Sequence, residues 1–184
     1  MDDVLFGRIV DAPLDEHGER QAEAVAARLA REGEMLIEAS PRRRTQQTAH
    51  AIGRTTHAEV LTAPDLDEID FGRWSGQRFV SLAEDPHWHR WNERRDVACT
   101  PAGDSIANVQ SRVARHLHRM HAAFPSRTIA LVTHAEVIRS ALLWILQMPV
   151  NAYQKLEISP SSITTLCVRN GDYTVQSVNE RTLQ

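Results

Sequence analysis

Three short clusters hold the side chains best suited to chemistry. His134 closes the apolar run 129–132, one threonine later, in "IALVTHAEVIRSALLWIL". Ser40, Pro41 and the triple arginine Arg42-Arg43-Arg44 follow "MLIEA". Asp67 and Glu68 come shortly after "EVLTA". Imidazole, guanidinium and carboxyl groups suit phosphate chemistry when they meet in one place. A guanidinium fork gives bidentate, charge-assisted bonds to phosphoryl oxygens. A helix start adds oriented N–H donors and a positive dipole end. A carboxylic acid can protonate a leaving alcohol.

The surrounding pattern supplies strand ends for each cluster. "LDEHGERQAEAVAARLAREG" sets Ala22, Val25, Ala26 and Leu29 on one helical stripe, with Asp15 as N-cap and Gly33 as the stop. "MLIEAS" reads as a strand, "RRRTQQTAHAIG" as a helix closed by Gly53, and "AEVLTA" as a second strand. "DSIANVQSRVARHLHRMHAAF" spaces Ile106, Val109, Val113, Leu117 and Met120 by three and four, which predicts a long amphipathic helix. "RTIALVT" is apolar without alternation and predicts a buried strand; "EVIRSALLWIL" predicts a helix. "SSITTLCV" and "YTVQSV" across Asn170-Gly171 predict a terminal hairpin. Strands alternating with helices argue for α/β with a mostly parallel sheet. Ligands of such sheets sit at the carboxyl ends of the strands, where all three clusters fall. Residues 70–100 look irregular, hold Trp74, Trp88 and Trp91, and are placed to cover a site.

Composition narrows the classes. The 184 residues fit one domain with a real core. Hydrophobic residues are 42%, charged residues 24% and the net charge is -3, so nothing points to general nucleic-acid binding. No stretch approaches a membrane span, and "MDDVLFGRIV" lacks the basic and apolar regions of a signal peptide. Cys99 and Cys167 stand far apart in no metal-like spacing and read as thiols of a reducing compartment. A cytoplasmic protein is expected, with no metal.

In chain order, "FGRIVDAPLDEHGERQA", "EASPRRRTQQTAHAI", "LDEIDFGRWSG", "PAGDS" and "LVTHAEVIRSALL" resemble the histidine phosphatase superfamily, the phosphoglycerate-mutase-like proteins. The likeness runs from about Leu5 to Val168. It implies a three-layer α/β/α fold and hydrolysis of a phosphate monoester through phosphohistidine, with no cofactor. In that family the histidine of an Arg-His-Gly triplet attacks phosphorus, and water then hydrolyses the intermediate. By position, Arg44 matches the arginine after the Ser-Pro turn and Glu68 the leaving-group acid. His134 matches the second histidine, which steadies the transition state. Phe6 and Gly7 match a substrate-side loop, and Ala135 a backbone contact after His134. The implied partner is a phosphorylated small molecule.

The sequence departs from the family in one large respect. No Arg-His-Gly triplet occurs in the 184 residues; Arg115-His116-Leu117 does not qualify. The family's triplet lies upstream of "FGRIVDAPL", at the end of a first, central strand. Met1 stands only a few residues before that segment. The nucleophile, its adjacent arginine and the first strand are therefore expected to be missing from a single domain spanning residues 1–184. Either the chain starts at the wrong methionine or is a shortened piece, or it is a genuine shortened relative. The first is favoured, because losing a central strand exposes sheet edges and core. Little or no activity is expected from the chain as it stands. The alternatives are an inactive relative that binds phosphorylated ligands, a mutase-type phosphotransferase, and a dimerising structural protein using the terminal hairpin. A homodimer stays open, and the selecting region names no particular ester.

Smaller features have plainer readings. Asp104 or Ser105 would cap the long helix. Glu136 either repels substrate or merely suits an early helical position. His116, His118 and His121 read as a solvated helix edge, since steps of two and three do not share one narrow face. His87 and His89 lie in a candidate lid, beside packing tryptophans. Arg42 and Arg43 are either a solvated helix start or added positive potential. Arg94 and Arg95 read as surface.

Overall fold

The computed structural model describes residues 4–182; the acidic start at residues 1–3 and the last two residues lie outside the described residues. In chain order the elements are α1 (Glu16–Leu29), β1 (Met35–Ala39), α2 (Arg43–Thr56), β2 (Val60–Thr62), α3 (Phe79–Leu82), α4 (Pro86–Glu93), α5 (Ile106–Ala123), β3 (Thr128–Val132), α6 (Ala135–Ile145), β4 (Ser162–Arg169) and β5 (Asp172–Arg181). Short 3-10 segments at Ala30–Glu32, Pro64–Leu66, Gly72–Trp74 and Val150–Lys155 complete the path among the described residues.

β2, β1 and β3 form a parallel sheet in that order. Met35, Ile37 and Ala39 of β1 join a core with Ala22, Val25 and Ala26 of α1 and Ala49 and Ile52 of α2. On the opposite face, Glu38 reaches His116 of α5 at 2.9 Å. A second core joins Ile106, Val109 and Val113 of α5 to Val137 of α6, Trp74 and Trp91. The architecture is thus α/β/α around a parallel sheet. Among the described residues, no helix is long and apolar enough to cross a membrane.

Local chemistry explains most boundaries. The Asp15 side chain accepts from the Gly18 N–H at 2.7 Å and starts α1. Ser105 caps α5 in a capping box with Asn108. Asn170 and Gly171 take φ of 53° and 84°, as a two-residue hairpin turn between β4 and β5 requires.

Three expectations need correction. Gly53 does not end its helix: α2 runs on to Thr56 and stops at His57, whose φ is 57°. Gly53 serves close packing instead, since a Cβ there would lie 2.7 Å from the Ala58 carbonyl oxygen. β3 is half-buried rather than buried. Among the described residues it pairs only with β1, and a groove of about 1180 Å³ separates it from β4. Val25 and Leu29 of α1 and Val113, Leu117 and Ala141 of α5 and α6 line that groove. Residues 70–100 are not irregular throughout, because α3, α4 and the turn Gly72–Trp74 order them around Trp74. Trp74 meets Trp88 edge-on at 5.2 Å and donates from Nε1 to Asp85 at 2.8 Å.

The tightest backbone crossing fixes this segment to the sheet's carboxyl end. Gly72 has φ of 54°, and a Cβ there would fall 2.0 Å from the Pro101 carbonyl oxygen. Gly72→Ala should destabilise the protein by at least about 1 kcal/mol in urea unfolding, because alanine meets both a left-handed φ and a backbone clash.

Candidate active site

The three strand ends converge. Ser40, just past β1, donates its N–H to the Val132 carbonyl at 2.9 Å. The Thr133 hydroxyl donates to the Leu66 carbonyl at 2.6 Å and ties the end of β3 to the turn before Asp67. His134 then stands at the N-cap of α6 in extended geometry. Arg42, Arg43 and Arg44 open α2, with no acidic residue in its first turn. Three cations at a helix N-terminus oppose the helix dipole, a local cost of the kind found where a site wants positive charge.

His134 is the hub. Its Nδ1 lies 3.0 Å from Nη2 of Arg44 and 3.4 Å from the Glu68 carboxylate. Its Nε2 lies 2.7 Å from Ser40 Oγ. Burial, followed by the charges of Arg44, Arg112, Arg42 and Arg8, pulls the imidazole down to about 2. The ring is therefore neutral. A guanidinium can only donate, so Nδ1 accepts from Arg44 and the ring proton sits on Nε2, donated to Ser40. The Ser40 hydroxyl is 3.4 Å from Asp67, so the chain of donors ends on a carboxylate.

Glu68 is largely buried, with its side chain 14% exposed. Burial pushes its carboxyl up to about 7, against the opposing Ile69 N–H and Arg44 charge. Arg44 Nη2 approaches it at 3.5 Å. The other Arg44 terminal nitrogen, Nη1, is buried without a hydrogen-bond acceptor among the described residues. Phe6 lines a pocket of about 340 Å³ that Arg44 and Glu68 also line. The Gly7 carbonyl accepts from Arg44 at 3.4 Å. Gly7 itself has φ of 55°, and a Cβ would meet Ser75 Oγ at 2.7 Å. Ala135, the first residue of α6, lines the neighbouring groove together with His134. Arg44, Glu68, His134, Phe6 and Gly7 are thus gathered at one end of the sheet.

Several participants carried no local signal. Arg8 donates from Nε to the Glu68 carbonyl at 2.6 Å and from Nη2 to Asp104 at 3.0 Å. Arg112 of α5 donates to the Asp65 and Glu68 carbonyls at 2.6 and 3.2 Å. Asp104 is not the cap; it holds Arg8 and the Asp70 N–H. Arg42 is no solvated helix start, since its Nε sits 2.9 Å from Asp67, whereas Arg43 is exposed. His116 is not a solvated edge but fully buried between Glu38 and Arg119, and His118 packs edge-on against Trp144 and Tyr173. Arg95 is 6% exposed and clasps Glu136, while Arg94 does lie on the surface with Asp96.

Comparison with known proteins agrees with this geometry. The family model of the histidine phosphatase superfamily, branch 1, matches residues 2–181. This chain belongs to the histidine phosphatase superfamily. A bifunctional protein of Mycobacterium tuberculosis is 32% identical over 82% of the chain, which spans 42% of that relative's length. Phosphoserine phosphatase 1 of Hydrogenobacter thermophilus is 29% identical over 79% of the chain and 70% of its own length. The structure of an Entamoeba histolytica phosphoserine phosphatase in complex with 3-phosphoglyceric acid superposes with a TM-score of 0.86 at 27% identity, covering 97% of this chain and 89% of that one.

The opposite shifts of Glu68 and His134 have a measurable consequence. Glu68 binds its proton more tightly folded than unfolded, so between its ordinary value of 4.5 and about 7 it costs stability as pH rises. His134 binds its proton less tightly folded, so between about 2 and its ordinary value of 6.5 it costs stability as pH falls. The two slopes cancel between pH 4.5 and 6.5, since folding moves one proton from the imidazole to the carboxyl. In urea titrations across that window, Glu68→Gln should make stability rise with pH by about 1.4 kcal/mol per unit relative to the parent. His134→Asn should make it fall by a similar amount.

Proposed function

We propose that this chain provides the phosphoryl-binding and proton-donating parts of a phosphate-monoester hydrolase site. The observation that carries the reading is Arg44: one terminal nitrogen is spent on His134, and the other is buried without an acceptor. A phosphoryl oxygen supplies the missing acceptor, and a guanidinium holds two such oxygens in its fork. His134 is the partner of Arg44 at the phosphoryl group. A bound dianion offsets the four guanidinium charges that hold the imidazole neutral, and as Arg44 Nη2 turns from the ring to a phosphoryl oxygen, Nδ1 is free to take a proton. Glu68, poised near 7, still carries a proton in about half of the molecules at neutral pH and gives it to the departing alkoxide. The ester is a small molecule, as in the phosphoserine phosphatase complex with 3-phosphoglyceric acid.

The phosphohistidine route needs a nucleophilic imidazole opposite the leaving group. The 184 residues contain no Arg-His-Gly triplet, and His134 already has both ring nitrogens engaged. We therefore read the 184-residue chain by itself as a binder of phosphate monoesters rather than a hydrolase.

Inorganic phosphate should raise the melting temperature of the 184-residue protein, with stabilisation near 2.7 kcal/mol at about one hundred times Kd. Arg44→Ala should weaken phosphate binding by about 2 kcal/mol, the value of a charged hydrogen-bonding partner. The same protein should leave p-nitrophenyl phosphate intact. Turnover by the 184-residue protein that disappears in His134→Ala would overturn this assignment.

A further inference from the structure

The pocket of about 340 Å³ beside Glu68 and Arg44 says which alcohol the ester carries. This inference rests on the phosphoryl-binding reading above. Four aromatic side chains, Phe6, Phe71, Phe79 and Trp88, line the pocket. Phe79 and Trp88 stand with ring centroids 6.3 Å apart, tilted by 58°. Trp88 is braced edge-on by the buried Trp74. Residues 4–7 are held in place because Leu5 exchanges backbone hydrogen bonds with Gly76 and Gln77 at 2.7 and 2.9 Å.

Beyond the phosphoryl end, the charged residues in the lining are Arg95 and Glu136, and they are spent on each other. Arg95 Nη1 donates to Glu136 Oε2 at 2.5 Å. Its second terminal nitrogen goes to Asn92 at 3.2 Å, and its Nε is buried without an acceptor among the described residues. The guanidinium is sandwiched between Tyr153 at 3.5 Å and Trp91 at 5.0 Å. Glu136 turns its other oxygen to Arg139 at 3.1 Å. Among the described lining residues beyond the phosphoryl end, a carboxylate on the substrate would find no open cation and would face Glu136. A flat, uncharged ring would find aromatic partners, with edge-to-face contacts favoured by the ring quadrupoles.

We propose that the leaving-group side of this site selects an aryl or similarly planar, uncharged group, and discriminates against carboxylate-bearing esters. Phe79 and Trp88 form the selecting wall, and the Arg95–Glu136 pair is the element that withholds charge recognition.

Calorimetric titration of the 184-residue protein with four probes tests this: inorganic phosphate, phenylphosphonate, phosphoserine and 3-phosphoglycerate. Phenylphosphonate should bind roughly tenfold more tightly than the other three. Phe79 is 42% exposed, so Phe79→Ala should fold normally; it should erase most of that gain and leave inorganic phosphate unchanged. Glu136→Gln frees the Arg95 charge and should strengthen 3-phosphoglycerate several-fold without improving phenylphosphonate. Equal affinity for phenylphosphonate and phosphoserine would overturn the proposal, as would a Phe79→Ala loss shared by inorganic phosphate, or no response of 3-phosphoglycerate to Glu136→Gln. Binding of phosphate without any aryl gain would sink this inference alone. Failure of every probe, phosphate included, would sink the phosphoryl-binding reading with it.

Discussion

Arg8, Arg42, Arg44 and Arg112 all bring positive charge to bear on a single imidazole, and together with burial they hold His134 neutral. Like charges at such range are tolerable only when each has its own counter-group. Arg8 is shared among Asp67, Asp70 and Asp104, and Arg42 takes Asp67. Arg112 gives its two terminal nitrogens to backbone carbonyls, and its Nε is buried without an acceptor among the described residues. Arg44 differs: its nearest carboxyl, Glu68, lies at 3.5 Å and is raised toward neutrality by burial. The surrounding loops follow from this arrangement. The turn Pro64–Leu66 aims Asp67 and Glu68 at the arginines, and the Gly72–Pro101 crossing brings Asp70 and Asp104 within reach of Arg8.

The proton arrangement is the other face of the same constraint. In the unfolded chain near pH 5.5 the carboxyl would be charged and the imidazole protonated. Folding reverses both, leaving a neutral acid beside a neutral base in a field of guanidinium charge. Such a site is short of negative charge, and a phosphate dianion supplies it. On the proposed reading, binding draws Arg44 Nη2 from the imidazole to a phosphoryl oxygen and returns a proton to the ring.

The meeting of Arg44, Glu68 and His134 was legible because strand ends are recognisable from apolar runs, and ligand sites of parallel sheets gather there. The family likeness then ordered the three. Arg8, Arg112 and Asp104 were not legible. Arg112 lies on the polar face of α5, three and seven residues from Arg115 and Arg119, which are largely exposed; only the packing of α5 over the turn Pro64–Leu66 separates their fates. His116 was misread for the same reason, since its partner Glu38 is 78 positions away on β1. β3 shows another limit. An unbroken apolar run implies burial of both faces, yet it says nothing of the strand's edges, and β3 lines an open groove on one of them.

Residues 70–100 join the two halves of the site in one folded segment. Its first part, through the Asp70 carbonyl, accepts the Asp104 N–H at 2.9 Å and the Thr100 hydroxyl at 2.7 Å. That closes the segment into a loop whose base follows the irregular stretch carrying Glu68 toward the arginines. Its middle part, ordered around Trp74, places Trp88 and Phe79 in the leaving-group pocket. The buried Trp74 therefore bears on both functions. It braces the aromatic wall, and it anchors the turn that begins two residues after Asp70. A change in this segment that enlarges the pocket would also loosen the position of the acid. On the proposed reading, leaving-group preference and proton donation are mechanically linked, so altered selectivity should arise from the exposed wall residue Phe79 more readily than from the buried tryptophans.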